Sequence, residues 1–278
     1  MISRLSLLIK QNSLVAYFVI AYAISWAFML PLALSAQGLI QKQFPYALYY
    51  LASIGPALSA LIVTAFAEGR AGLRKLLGHL VKWRVGVGYY IFAVLVPVAL
   101  FGIALVINYI FTGVWTDLGL LGQADYLPYL GIPGVLGVWF LTYGMGEEIG
   151  WRGFALPRLQ RNRPAANAAL LLGIIWACWH LPAFFFRDTY IEMGPLGFPM
   201  FVVSIVFASV VFAWLYNSTG GSLLLVILFH VFFNWLSVSE AGGDYVAILM
   251  SAPMVAWALC MVRRYLPENI APVQRQVA

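Results

Sequence analysis

Apolar stretches long enough to cross a lipid hydrocarbon core, which takes about 20 residues at helical rise, recur along this chain between residues 13 and 262. Backbone N–H and C=O groups facing lipid must be satisfied within their own segment, so such stretches fold as transmembrane helices. Composition agrees, since 63% of the 278 residues are hydrophobic and only 9% are charged, against the roughly quarter-charged usage of soluble domains. Breaks at Gly, Pro and charge divide the chain into about eight spans: 13–35, 46–67, 87–111, 133–158, 165–186, 197–216, 222–239 and 244–262. The expected fold class is therefore an all-α polytopic membrane protein in one transmembrane domain covering 1–278. The first apolar run is longer than the 7–15 residues or so of a secretory signal's apolar region and is read as a span.

Alternating the loops between two sides separates the charges. All but Lys42 and Arg187 of the 16 Lys and Arg residues, from Arg4 to Arg275, fall on the side of the N-terminus. Lys42 and Arg187 share the other side with Asp117, Asp125, Asp188, Glu192, Glu240 and Asp244. Positive loops stay cytoplasmic, so both termini are expected in the cytoplasm, with an even number of spans. The net charge of +6 is thus a topology signal, and no nucleic-acid motif accompanies it. Leu73, Leu76, Leu77 and Leu80 recur at helical spacing among Arg70, Arg74, Lys75 and Lys82. That pattern suits a short helix lying on the inner surface, or equally a solvated basic loop. His79, in the same stretch, is read as solvated or headgroup-facing. Cys178 and Cys260 are read as small packing residues within spans, and the tail at 266–278 as short, cytoplasmic and disordered.

Most of the ten acidic residues sit in loops, and the exceptions carry the chemistry. Glu147 and Glu148 lie inside the fourth span, His180 inside the fifth, and His230 and Asn234 inside the seventh. Ionisable groups at membrane depth are costly unless paired or hydrated, which makes them functional candidates. Spans four and five form a hairpin that turns near Arg161-Asn162-Arg163-Pro164, and the midpoint between Glu147 and His180 falls in that turn. Both side chains therefore reach nearly the same depth, about 15 to 20 Å from the turn. The seventh span enters from the same side after Gly220-Gly221-Ser222 and brings His230 and Asn234 to a comparable level. Glu148 and Arg152 stand at i, i+4 with the acid first, the favoured order for an ion pair, so Arg152 is expected to hold Glu148 and to leave Glu147 free for water. His230 and Asn234, also at i, i+4, share a face and can donate to an oxyanion. Trp176, four residues before His180, can pack on its ring, and Pro182 interrupts the helix just beyond. Gly144, Gly146, Gly150 and Gly153 are read as close-packing positions.

Three short patterns coincide here: Glu147-Glu148-Ile149-Gly150-Trp151-Arg152 as E-E-x-x-x-R, Trp176 to His180 as [FW]-x-x-x-H, and His230 to Asn234 as H-x-x-x-N. In this order and on separate spans they resemble the type II CAAX prenyl endopeptidase-like family, also called the CAAX protease and bacteriocin-processing family of intramembrane proteases. The similarity covers about residues 130–240, the expected catalytic core. It implies eight helices around a polar intramembrane cavity in a bacterial plasma membrane, and a membrane-associated peptide or protein as substrate. By motif match Glu147 is the general base, His180 positions or activates water, and His230 with Asn234 forms the oxyanion hole. Glu148, Arg152 and Trp176 then support them.

Two mechanisms remain open at this level. In the preferred one Glu147 and His180 activate water directly and no cofactor is required. In the other, Glu147, His180 and His230 hold a zinc ion with a fourth position for water, although the H-E-x-x-H spacing is absent. A non-catalytic membrane adaptor or bacteriocin-immunity protein is the alternative from another class, ahead of a transporter, for which no inverted repeat is visible.

Overall fold

The computed structural model describes residues 9–123 and 127–278. Arg4 and Asp125, both used in the charge census, lie outside the described residues, and of Asp244 only the backbone is described. The described residues form helices and no strands: α1 (Ser13–Ala36), α2 (Ala47–Ala52), α3 (Gly55–Gly78), α4 (Val87–Thr112) and α5 (Gly131–Trp139), then α6 (Leu156–Leu159) and α7 (Ala165–Trp179). The chain continues through α8 (Asp188–Ile191), α9 (Gly197–Ser218), α10 (Leu223–Ser237) and α11 (Gly243–Asn269).

Six helical stretches are long and apolar enough to cross a membrane: Ser13–Ala36, Ala47–Gly78, Val87–Thr112, Ala165–Phe185, Gly197–Ser218 and Val246–Asn269. The other two expected spans differ from regular span-length helices. Leu223–Ser237 is a shorter apolar helix, and the fourth span is α5 continued by two π-helical stretches, Phe140–Glu147 and Ile149–Ala155, that run into α6. The chain is an all-helical polytopic membrane protein.

Local sequence explains where the rods break. Gly69 takes φ 64° inside α3, so the basic stretch after it continues the helix in a new direction. Leu76 on that stretch is buried while Leu77 is exposed. Gly113 ends α4 in the left-handed region at φ 71°, its N–H returning to the Tyr109 carbonyl at 2.8 Å, a conformation natural to Gly. Pro164 caps α7, and Ser222 caps α10 by accepting from the Leu225 N–H. Within the bundle α1 packs along α3, α7 along α9, and α10 along α4.

Three expectations change. His79 is half-buried, and its Nδ1 lies 2.7 Å from the Gly221 carbonyl. The Leu223 N–H donates to the His79 carbonyl at 3.0 Å, and the Ser222 hydroxyl to the Lys82 carbonyl at 2.6 Å. The loop after α3 thus clamps the turn that launches α10. Burial pushes the His79 ring below its ordinary pKa, and the bond to Gly221 acts in the opposite sense. Arg187 lies in a loop, as hydropathy placed it, and is nonetheless buried, 4% exposed, donating to the Tyr49 hydroxyl at 2.9 Å. Cys178 and Cys260 are exposed on the outside of the bundle, where a small apolar thiol faces lipid as readily as core. The tail is ordered: Ile270 and Ala271 are buried, Arg275 Nε donates to the Gln160 carbonyl at 2.9 Å, and the Gln276 N–H donates to Asn217 Oδ1 at 3.1 Å. Buried Asn217 and Gln160 have amide groups to satisfy, and the tail backbone satisfies them.

Candidate active site

The site is built on the two π-helical stretches, which lie at the centre of the bundle. Their glycines make that possible. A Cβ on Gly146 would lie 2.6 Å from the Ser53 carbonyl oxygen, one on Gly150 would lie 2.5 Å from the Tyr17 hydroxyl and 2.6 Å from Pro56, and one on Gly144 would lie 2.7 Å from Ile227 Cγ2. Gly153 meets Leu223 and Leu76 at 3.0 Å. Side chains from α1 and α10 and the backbone of the α2–α3 junction therefore come within contact of this rod, and its acidic residues end up walled by helices. Turns wider than the α-helix recur at functional sites, and here they span Glu147 to Arg152.

Glu148 and Arg152 are both 0% exposed, with Arg152 Nη1 at 2.9 Å and 3.2 Å from the two carboxylate oxygens. The guanidinium lies between two rings, 4.2 Å from the Trp176 centroid and 4.3 Å from that of Phe212. Its Nε and Nη2 have no hydrogen-bond partner, so ring faces supply part of its stabilisation. Glu148 has a second partner that the spacing did not predict, because His230 Nδ1 lies 2.7 Å from Glu148 Oε1. One carboxylate thus holds a cation on its own helix and an imidazole on α10.

Glu147, 2% exposed, accepts from the Trp176 indole N–H through Oε2 at 2.7 Å. It is not wholly free for water, and its Oε1 has no protein partner among the described residues. Trp176 sits 6.0 Å from the His180 ring at a tilt, so its main bond is to Glu147. His180 ends α7 as the C-cap, and Pro182 opens a 3-10 turn over Leu181–Phe185. His180 Nδ1 lies 2.8 Å from the Trp176 carbonyl. A carbonyl only accepts, so Nδ1 carries the proton and Nε2 of the neutral ring has its lone pair free. Asn234 stands one turn beyond His230 on α10, half-buried, with no side-chain bond among the described residues.

Glu147, Glu148, Arg152, Trp176, His180 and His230 are therefore brought together from three helical segments, and Trp176 touches most of them. Two participants went unread in the sequence. Phe212 on α9 closes over Arg152 and stands 5.2 Å from His230 at 84°, with no spacing signal to mark an aromatic among many. Tyr17 on α1, fully buried, packs on Phe154 and Trp151. Among the described residues no group of three or more His, Cys, Asp or Glu is placed to hold a metal ion.

The fold and the site together define a polytopic membrane protein with buried ionisable groups gathered in its helical core. Residues 129–236, which contain all of these groups except Tyr17, match the family described as type II CAAX prenyl endopeptidase Rce1-like. The chain is also similar to "CAAX prenyl protease 2" of Methanococcus maripaludis, 33% identical over 92 residues, which is 32% of this chain and 34% of that protein. The match thus spans about a third of the relative's length.

Proposed function

We propose that this protein is an intramembrane endopeptidase of the CAAX-processing type, hydrolysing a peptide bond in a membrane-associated peptide or protein. The observation that carries the reading is the meeting of Glu147, His180 and His230 around Trp176, each keeping one polar atom without a protein partner. Their residual exposures of 2%, 8% and 4% keep these groups largely out of solvent, as water-excluded catalysis requires.

In this mechanism a water molecule donates to Glu147 Oε1 and to His180 Nε2. Glu147 removes a proton as the water oxygen adds to the scissile carbonyl carbon, and the oxyanion accepts from His230 and Asn234. Glu147 then passes the proton to the amide nitrogen, and the C–N bond breaks to give a carboxyl and an amine. Donation from His230 Nε2 requires the ring to hold both protons, because Nδ1 already donates to Glu148. With both glutamates ionised, Arg152 and that imidazolium bring the cluster to zero net charge, which a low-dielectric layer favours. No cofactor enters this scheme. Substrate reaches the site from the bilayer, and both termini lie in the cytoplasm.

Two measurements test the proposal. Mass spectrometry of cleavage products from vesicles containing the wild type and a prenylated CAAX-type peptide should show one cut, lost in Glu147→Ala. Near-normal cleavage by a folded Glu147→Ala protein would remove Glu147 from the catalytic role, and no cleavage by the wild type would favour the adaptor reading. Metal analysis and chelation bear on the mechanism, which predicts activity unaffected by chelator. Stoichiometric zinc, with activity lost on chelation and restored by zinc, would recast His180 and His230 as ligands.

A further inference from the structure

Trp176 contacts each part of the cluster in a different way. Its indole N–H donates to Glu147 Oε2 at 2.7 Å, its ring face lies 4.2 Å from the Arg152 guanidinium, and its ring stands at 85° to His230 with centroids 5.6 Å apart. Its carbonyl accepts from His180 Nδ1 at 2.8 Å. Packing alone does not account for the N–H bond. Trp139, Trp151, Trp179 and Trp214 are also buried in this core, and none of their indole N–H groups has a hydrogen-bond partner. The core therefore tolerates indoles whose N–H is unmatched, whereas that of Trp176 is matched to a carboxylate. Glu147 has competing attractions nearby, because Arg152 and His230 both act on it electrostatically. A carboxylate that rotated toward those groups would no longer face water.

We propose that Trp176 is a positioning residue for the reaction: its indole N–H anchors Oε2 of Glu147, keeps that carboxylate from rotating toward Arg152 and His230, and so presents Oε1 to the water beside His180. The proposal rests on the reading of Glu147 as general base. A phenylalanine, which the same sequence pattern admits, fills much of the volume and cannot donate. The indole at this position thus gives this chain a hydrogen bond that the pattern itself does not require.

The test removes the donor and keeps the shape. Full-length protein carrying 3-benzothienylalanine at position 176, in which sulfur replaces the N–H, is compared with wild type and Trp176→Phe in vesicles. A lost hydrogen bond to a charged group predicts a fall in kcat on the order of 10- to 100-fold, with KM and melting temperature unchanged in the benzothienyl protein. Wild-type kcat in that protein would overturn the proposal, as would a joint loss of kcat, KM and melting temperature, which marks a structural role. A second arm needs no activity. Ultraviolet resonance Raman, with the Trp176 signal isolated by subtracting the Trp176→Phe spectrum, should report a hydrogen-bonded indole that becomes unbonded in Glu147→Ala. An indole signal indifferent to Glu147 would overturn the proposal even if the wild type cleaved peptide. A wild type that cleaves no peptide would instead sink the functional reading, leaving the Raman arm to judge the contact.

Discussion

Glu148, itself fully buried, has two ionisable partners, since its single carboxylate faces Arg152 at 2.9 Å and His230 at 2.7 Å. Removing one partner of a buried pair leaves an uncompensated charge and costs about 3–5 kcal/mol. Glu148→Ala should therefore lower the melting temperature clearly and retain only partial cleavage, because His230 loses the group that orients it. Thermal unfolding in detergent beside a peptide assay checks both, and an unchanged melting temperature would show that Arg152 finds another partner. At this scale the sequence was informative where groups lie four residues apart on one helix: Glu148 with Arg152, and His230 with Asn234 on a shared face. It was silent on contacts between helices. The His230–Glu148 bond and the Trp176–Glu147 bond join residues 82 and 29 positions apart, and no periodicity within a span encodes them.

Two kinds of element shape the site, wide helical turns and close-packed glycines. The four glycines of the 140–155 stretch were legible as contact positions, whereas the π-helical winding was not, because hydropathy registers an apolar run whatever its pitch. Their packing role predicts a graded result. Gly146→Ala and Gly150→Ala push a methyl to within 2.6 Å of fixed backbone or proline atoms, and overpacking of this kind costs about 1–3 kcal/mol. Gly137, with nothing within 4 Å of its would-be Cβ, should accept Ala with no loss of stability. Melting curves of the three variants separate these cases, and equal behaviour would contradict the close-approach account. Element lengths also departed from expectation in a physical way. Leu223–Ser237 is too short to count as a full span, yet its start is fixed by the Ser222 cap and the clamp from the loop at 79–82, and this sets the depth of His230.

For the whole molecule, hydropathy alone identified an all-helical membrane bundle, since each expected span is helical. The tail was misread for a reason that composition could not reveal. Polar Gln160 and Asn217 are buried at the end of the bundle, and the segment around Arg275 and Gln276 supplies their partners, so a polar sequence became ordered. The charge separation between loops gives the prediction at this scale. With basic loops retained inside, a reporter fused after Ala278 should be active in the cytoplasm, and one active only outside would overturn the assigned orientation.

The central claim is that Glu147 activates water for direct attack on a peptide bond, and isotope transfer tests it most directly. Single-turnover cleavage in H2(18)O by the wild-type protein, followed by mass spectrometry of the product and of the peptide containing Glu147, should place one heavy oxygen in the new carboxyl group and none in Glu147. Glu147→Gln should yield no product. Heavy oxygen in the Glu147 side chain, or cleavage by Glu147→Gln at a rate close to wild type, would contradict the account.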